Sequence, residues 1–393
     1  MNRIHRNVQG FALATAILAL VVVGALVTAG FFAASQEGRV GTSNAQADLA
    51  FYVAEQGLQN TLGTVKRRQV RNLQPGQTLN RTGSVSVGGR VVGNYVATIR
   101  PFGGELYFVE SLGTVTQGGR YAGAQRRIGM VTRTMELRFP MTAALTTFGG
   151  INLRGNALIS GTDNSPDVWP DSLCDPTVPT ESGIRTTMTS TIGESGNPTI
   201  TGNPRIERDP TLDPTDFEDF GDVDIEALRA LATHIIPGGT ITPAPSFTGT
   251  ACNRLSTSNW GDPTPPDNDC SNYFPIIFST SSLSLGANGV GQGILVVCPG
   301  DLSVTGRFEF YGIVIVCGVF NNNRGSGNAE IHGTLLTKSN ADIEDNSEFR
   351  GTPVLQFSTC TVTRAVQEND AVARLFPVHK RSWVDLTAAG VQD

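Results

Sequence analysis

The sequence has few of the residues on which metal sites and catalytic centres usually depend. Only four of its 393 residues are histidine, and its six cysteines include no C-x-x-C pair, so a zinc site of the usual ligand spacing is not indicated. The chain also has no G-x-S-x-G nucleophile elbow and no G-x-x-x-x-G-K-[ST] phosphate-binding loop. These absences favour a structural or binding protein without a cofactor over an enzyme.

Aromatic residues are also scarce, at 7% of the chain, whereas glycine occurs 45 times. This balance is typical of turn-rich β structure rather than of a helical bundle. Charge is uneven: residues 35–138 contain 13 Lys and Arg against 6 acids, and residues 139–393 contain 14 against 29. The acidic distal part argues against a specific nucleic-acid partner.

What the sequence does have is a long apolar segment near its N-terminus, GFALATAILALVVVGALVTAGFFAA, over residues 10–34. It contains no charged residue, and only Thr15 and Thr28 are polar. At about 1.5 Å per residue, a helix of this length spans about 36 Å, which is enough to cross a hydrocarbon core about 30 Å thick. Arg3 and Arg6 precede it without an acid, so the positive-inside rule predicts a cytoplasmic N-terminus and an extracytoplasmic remainder.

The leader MNRIHRNVQG, followed by Phe and an unbroken apolar helix, resembles the class III signal of type IV pilins. The resemblance implies that prepilin peptidase cleaves between Gly10 and Phe11, and that Phe11 becomes the N-methylated first residue. At the fifth mature position the family usually has a Glu that pairs with the neighbouring subunit's N-terminus. This chain has Thr15 there, and PilX-like minor pilins often lack the Glu as well.

A second motif, AQADLAFYVAEQGLQNTL over residues 45–62, resembles the A..A(F/Y).AAEAGL signature of PilX-like minor pilins. Together the motifs imply a non-enzymatic pilus subunit that packs on other pilin subunits through its helix and is handled by the inner-membrane assembly machinery. It would reside in the inner membrane and then in an extracellular filament, where its distal part meets a surface glycan or protein. The alternatives are a secretion pseudopilin, or an unrelated surface adhesin held by a signal-anchor helix.

Beyond the apolar segment, apolar residues recur at spacings of three and four from Ala47 to Val65, which predicts that the helix continues. We expect one rod of about 85 Å from Phe11 to about Arg68, stopped by the Pro-Gly pair at 75–76. From about residue 82 to 137, alternating apolar residues with Gly-Gly breaks predict an antiparallel sheet of hairpins.

The C-terminal half contains a repeat. The segments QGILVVC, YGIVIVC, HGTLLTK and RGTPVLQ end at the nearly evenly spaced positions Cys298, Cys317, Lys338 and Gln356. The first two residues of each of the last three segments complete a similar tetrad, EFYG, EIHG or EFRG. A period of about 20 residues, with short apolar runs and glycine at corners, predicts a parallel β-solenoid in which stacked rungs share one core. A β-sandwich of regular hairpins is the alternative.

A polar segment rich in Pro, Asp, Ser and Thr, residues 162–278, is predicted to be an insertion, with a short helix from Asp224 to Ile235. Its stretch ERDPTLDPTDFEDFGDVDIE has nine acids and one Arg. Carboxylates are ligands for Ca²⁺, although the spacing is not that of an EF-hand, and a solvated acidic loop is the alternative. The candidate Ca²⁺ ligands are Asp213, Asp216, Glu218, Asp219, Asp222 and Asp224.

The cysteines lie beyond the membrane segment, where disulfides are permitted. Cys298 and Cys317 end neighbouring repeats, which places them within disulfide range or, alternatively, in a reduced ladder. Cys252 and Cys270 close a Pro- and Asn-rich loop with little core of its own, which favours a disulfide.

The glutamates of the three tetrads, Glu309, Glu330 and Glu348, form a predicted carboxylate row. Paired carboxylates on a solenoid occur in carbohydrate-active enzymes, but repetition in every rung is equally what a structural repeat produces.

The predicted fold class is α+β and mostly β. The predicted organisation is a leader (1–10), a long helix (11–72, with 11–34 in the membrane), an antiparallel meander (73–140), a Gly-rich parallel β-solenoid-like domain (141–161 and 279–360) split by the acidic insertion (162–278), and a C-terminal tail (361–393).

Overall fold

The computed structural model describes residues 9–117, 122–135, 137–139, 141–170, 173–174, 179–264, 268–286, 288–322, 329–345, 355–378 and 383–388. The chain divides into two compact units. The helix–sheet unit is the described part of Met1–Gly63, Leu73–Thr132 and Pro377–Asp393, and the solenoid unit is that of Thr64–Asn72 and Arg133–Phe376.

The α-helices are α1 (Gln9–Thr64), α2 (Arg67–Val70), α3 (Ile225–Ala230) and α4 (Thr359–Gln367). The strands are β1 (Leu79–Val87), β2 (Arg90–Gly103), β3 (Leu106–Val115), β4 (Gln125–Thr134), β5 (Ala143–Thr147), β6 (Ile151–Gly155), β7 (Leu158–Ser160), β8 (Ser182–Thr187), β9 (Ile192–Gly196), β10 (Thr199–Thr201), β11 (Ile206–Asp209), β12 (His234–Ile236), β13 (Gly239–Ile241), β14 (Phe247–Thr248), β15 (Ala251–Cys252), β16 (Ile276–Ser279), β17 (Leu283–Leu285), β18 (Gly289–Val297), β19 (Leu302–Val304), β20 (Phe308–Val316), β21 (Phe320–Asn322), β22 (Ala329–Thr337), β23 (Ala341–Asp345), β24 (Leu355–Phe357), β25 (Leu375–Pro377) and β26 (Trp383–Asp385).

In the helix–sheet unit, the C-terminal half of α1 packs on an antiparallel sheet in which β1 to β4 are neighbours in chain order and β26 pairs with β4. The helix presents Val53, Gly57 and Thr61 to the interior, and their spacing of four residues places them on one helical face. Glycines on the sheet allow the helix to approach it closely, since a Cβ atom at Gly93 would lie 2.7 Å from a Val53 methyl group. The predicted antiparallel sheet is therefore confirmed.

The helix ends earlier than expected. α1 stops at Thr64, and Lys66 is extended, with φ −92° and ψ 151°, before the single turn of α2. The N–H group of Arg67 donates to the carbonyl of Ala373 at 2.6 Å instead of to a preceding helical carbonyl. The prediction of one rod reaching Arg68 is therefore wrong by about one turn, because this backbone bonds to a distant segment.

The solenoid unit is built from two parallel sheets. Sheet A has the order β10-β7-β24-β22-β20-β18-β16-β12, with β5 beside β22, β8 beside β5 and β11 beside β8. Sheet B has the order β13-β17-β19-β21-β23-β6-β9. Successive rungs contribute one strand to each sheet, which is the stacking expected of a solenoid, and the predicted fold class is confirmed.

Glycine fixes the bend in each long strand. Gly293, Gly312 and Gly333 align in one register, and their φ angles are +111°, +142° and +141°, where side chains are disfavoured. The solenoid unit has one apolar core inside the solenoid and a second between sheet A and α4. Residues after the bend alternate between them, so Val314 points into the solenoid whereas Ile313 points outward under α4. The first three copies of the predicted repeat therefore correspond to real rungs.

The fourth predicted copy does not continue this register. Gly351 lies outside the described residues, and Phe357 rather than a glycine is paired with Gly333. The partner for the second half of β22 comes from β5, where Leu145 pairs with Leu335. The open edge of a parallel sheet is satisfied here by a segment from the beginning of the solenoid unit, far earlier in the chain.

The segment predicted as an insertion, 162–278, contributes strands β8 to β15 and most of β16. All of these strands except β14 and β15 belong to the two solenoid sheets. The short helix predicted from Asp224 to Ile235 is present as α3, with Asp224 as its N-cap, but it ends at Ala230. His234–Ile236 instead forms β12, the strand at one end of sheet A. The chain crosses from one end of the solenoid to the other within this segment, and the strands at both ends come from it.

Candidate functional site

The N-terminal part of α1 is apolar on every side and exposed. Leu13 and Phe31 are 68% and 78% exposed, and none of the most apolar 18-residue stretch is buried within the chain. By length and composition this is the one described helix suited to crossing a membrane. Such a surface is stable only when lipid or another apolar surface covers it.

A polar group inside this apolar part is satisfied locally. The hydroxyl of Thr28 donates to the carbonyl of Gly24 at 2.8 Å, which removes the cost of an unpaired donor in lipid. Gly10 and Phe11 lie in the first turn of α1, and Thr15 is exposed one turn later. The residues of the leader before Gln9 lie outside the described part of the chain.

Three of the candidate Ca²⁺ ligands serve as caps and turn acceptors. Asp213 accepts hydrogen bonds from the N–H and hydroxyl groups of Thr215 at 2.7 and 2.6 Å, and these bonds lower the pKa of its carboxyl group. Asp216 accepts the N–H of Asp213 at 2.9 Å, and Asp224 caps α3 by accepting the N–H of Ala227 at 2.7 Å. These oxygens are directed at neighbouring backbone and hydroxyl groups rather than at a shared centre.

The other three candidates also have protein partners. Glu218 forms an ion pair with Lys338, Asp222 accepts two hydrogen bonds from Arg133, and Asp219 accepts the N–H of Gly221. Within the described residues, no three His, Cys, Asp or Glu side chains are grouped so that they could hold a metal ion. Each of the six candidate acids thus has a partner within the protein.

The cysteines form three disulfides. Cys252 pairs with Cys270 and Cys298 with Cys317, the latter joining neighbouring rungs with a Cα–Cα distance of 5.1 Å. A third disulfide, between Cys174 and Cys360, joins residues 186 positions apart. Sequence reasoning missed this pair, since nothing in the spacing of those two cysteines relates them.

The predicted carboxylate row is present in part. Glu309 and Glu330 are in register on β20 and β22, whereas Glu348 lies outside the described residues. Beside them the rings of Tyr311 and His332 stack with centroids 4.7 Å apart, and burial together with the two glutamates raises the pKa of Tyr311. Arg307 donates to Glu309 at 2.5 Å. The row thus lies beside a ring stack, and one of its carboxylates, that of Glu309, is held in an ion pair.

A basic cavity, which sequence reasoning missed, lies in the solenoid unit. Its volume is about 250 Å³. It is lined by Arg68, Arg71, Asn72, Leu173, Cys174, Thr359, Cys360, Thr363, Arg364 and Gln367. Three separated segments meet there, and the Cys174–Cys360 disulfide joins two of them, which is why no local motif marks the site.

Charge pairs hold the segment 64–72 beside this cavity. Arg68 forms an ion pair with the buried carboxylate of Glu368 at 2.6 Å, and Lys66 lies 2.9 Å from Asp370. Arg254 also pairs with Asp370, at 2.7 Å. The segment Thr64–Asn72 therefore belongs to the solenoid unit.

No protein-family model and no curated protein sequence matches the chain. Among solved structures, the chain is similar to one described as the crystal structure of competence-associated pilin ComZ from Thermus thermophilus. The identity is 13%, over 86% of this chain and 97% of that chain. The TM-score is 0.24, which is too low to establish a shared fold.

Proposed function

We propose that the protein is a non-enzymatic structural subunit of a type IV pilus or a related extracellular filament. The observation that carries the proposal is the division of α1 into two parts. Its C-terminal half is buried on the chain's own sheet, whereas its N-terminal half exposes apolar side chains on every side. A helix of this kind has one half for its own fold and one half for another environment.

Two environments suit the exposed half in succession. In the inner membrane, lipid covers it and the rest of the chain lies outside the cytoplasm. In a filament, the apolar halves of neighbouring pilin subunits cover one another. The satisfied hydroxyl of Thr28 suits both, because neither requires a free polar group.

The leader supports a specific processing step. Its similarity to the class III signal supports cleavage by prepilin peptidase between Gly10 and Phe11, with N-methylation of Phe11, before the inner-membrane assembly machinery takes up the subunit. Because Thr15 stands where most pilins have Glu, the subunit belongs with the minor or priming subunits of PilX-like type. Registration between subunits would then rely on apolar contacts rather than on an ion pair.

The solenoid unit would be displayed outside the cell. Its three disulfides are compatible with an oxidising environment, and its stacked rungs give a rigid surface suited to contact with a glycan or protein ligand. The displayed unit thus supplies contact or adhesion, and the helix supplies assembly.

The exposed apolar helix also fits a second candidate function, that of a surface adhesin anchored as a single copy. The two candidates differ in what happens at Gly10. We expect a Gly10→Val variant of the pilus subunit to stay uncleaved in the membrane, whereas the wild-type chain appears in filaments sheared from the cell surface. A Val8→Ala variant is the control and should enter the filaments. Equal membrane retention of wild type and both variants would contradict the filament proposal.

A further inference from the structure

We infer that the basic cavity of the solenoid unit binds an acidic monosaccharide unit, that is, a hydroxylated sugar ring carrying a carboxylate or a phosphate. This inference goes beyond the proposed filament function and does not rest on it. Every described residue that lines the cavity belongs to the solenoid unit.

The charge of the cavity favours an anion. Arg68, Arg71 and Arg364 line it, and none of the described residues that line it is acidic. Glu368 is the carboxylate that offsets Arg68, and the same carboxylate lies 3.9 Å from Lys66. Asp370 lies 2.9 Å from Lys66 and 2.7 Å from Arg254. Two carboxylates are thus shared among Lys66, Arg68 and Arg254, and the buried guanidinium group of Arg364 adds a positive potential to the cavity.

Arg364 is held in place before any ligand arrives. Its guanidinium group lies over the rings of Trp169 at 4.5 Å and Phe274 at 4.9 Å, and it donates to Asn272 at 3.4 Å. The residue is only 9% exposed, and burial lowers the pKa of the guanidinium group. A desolvated, fixed cation forms strong charge-assisted hydrogen bonds with an oxyanion.

The wall formed by α4 favours a ligand with hydroxyl groups. Thr359, Thr363 and Gln367 are spaced four residues apart, so they lie on one face of the helix, and all three line the cavity. The hydroxyl of Thr359 donates to Asp163 at 2.7 Å and can therefore only accept from a sugar hydroxyl. The Thr363 hydroxyl and the Gln367 amide can each donate and accept, as sugar hydroxyls require. Together with the guanidinium groups, this wall matches one ring that has an acidic group and several hydroxyls.

The size of the cavity restricts the ligand to one such ring. Its volume of about 250 Å³ is below the roughly 300–1,000 Å³ typical of pockets for drug-sized molecules. A polysaccharide would therefore enter by a terminal acidic residue, whereas a free acidic sugar would enter whole.

The test is calorimetric titration of the full-length protein in detergent with glucuronate, with glucose as the neutral counterpart and with inorganic phosphate. We expect glucuronate to bind at least about tenfold more tightly than glucose, because charged hydrogen bonds distinguish the two. Inorganic phosphate, which lacks the ring hydroxyls, should bind more weakly than glucuronate. A tetrasaccharide with terminal glucuronate separates the sources: binding of it as well as of the free sugar indicates a polysaccharide end, and binding of the free sugar alone indicates a soluble ligand.

Matched variants locate the site. Arg71→Gln should weaken glucuronate binding at least about tenfold, and Thr363→Val should weaken glucuronate binding while leaving phosphate binding unchanged. Arg154→Gln, on the exposed face of sheet B, is the control and should bind as wild type. The inference is overturned if glucuronate does not bind, if glucose binds equally, if phosphate binds as tightly as glucuronate, or if the cavity variants bind like Arg154→Gln. None of these outcomes bears on filament assembly, so the two proposals can fail separately.

Discussion

Gly57 of α1 lies against the ring of Tyr95 in β2, so closely that a Cβ atom at position 57 would come within 2.5 Å of the Cγ atom of that ring. The same atom would lie 2.6 Å from the hydroxyl oxygen of Ser111 in β3. The helix–sheet contact therefore depends on the absence of a side chain at one helical position. This relationship gives the first prediction.

Gly57→Ala should destabilise the helix–sheet unit by about 1–3 kcal/mol, because the added methyl group must displace the Tyr95 ring or the sheet. The measurement is amide hydrogen exchange in β2 and β3 of the full-length protein in detergent. Gly63→Ala is the control: its Cβ atom meets nothing within 4 Å, and alanine is the better helix former by up to about 1 kcal/mol. If both variants leave exchange unchanged, the close packing of α1 on the sheet is contradicted.

The second prediction concerns the bend in the solenoid strands. A Cβ atom at Gly312 would lie 3.1 Å from the carbonyl carbon of Gly293 in the next rung, whereas one at Gly239 would meet nothing within 4 Å. Both glycines have positive φ, so the two alanine variants share backbone strain of about 1–2 kcal/mol. Gly312→Ala should lose about 1–3 kcal/mol more from the clash.

Urea unfolding followed by the fluorescence of the buried Trp169 and Trp260 measures this difference. An equal loss in the two glycine variants would show that the rungs are not in close contact at the bend.

The position of these bends is what the sequence predicts best. Short apolar runs that follow a repeated glycine identify β18, β20 and β22, because each rung meets the same steric demand at its corner. The partners at the end of the series are different. Leu145 pairs with Leu335 although the two lie far apart in the chain, and no local pattern encodes which distant segment closes a sheet edge.

The same limit applies to the candidate sites. The spacing of Cys298 and Cys317 follows the repeat, so their proximity is readable from the sequence. The pairing of Cys174 with Cys360, and the cavity beside it, depends on the docking of α4 against a segment far away in the chain. Long-range packing also gives Glu218 and Asp222 their basic partners, which a count of acids does not reveal.

The third prediction concerns the Cys174–Cys360 disulfide. It closes a loop of 186 residues, against 18 for Cys252–Cys270. In the chain-entropy description, removal should cost about 5 kcal/mol for the long loop and about 3 kcal/mol for the short one. Urea unfolding of the two double Cys→Ala variants without reductant measures which disulfide contributes more to the unfolding free energy. A larger loss on removal of Cys252–Cys270 would contradict it.

The fourth prediction is a pH dependence from His234. The imidazole is buried, with its Nε2 atom 2.8 Å from the hydroxyl oxygen of Tyr273, and burial lowers the pKa of the histidine. The unfolded chain then binds more protons below the ordinary histidine pKa of about 6.5, so stability is full above that pH and falls as the pH drops below it.

His234→Gln should reduce the loss of unfolding free energy between pH 7 and pH 5, as measured by urea unfolding at each pH. At pH 8 the comparison isolates the cost of the substitution itself, because the histidine is neutral in both states there. If the unfolding free energy of the variant depends on pH as steeply as that of wild type, His234 does not contribute to the pH dependence.

The central claim is that the exposed half of α1 serves filament assembly after processing at its N-terminus. The most direct measurement is the mass of the N-terminal peptide of the protein recovered from sheared surface filaments. The filament account predicts a chain that begins at N-methylated Phe11. A chain that retains Met1 and is recovered only from membranes would contradict it, and would leave an anchored solenoid protein in its place.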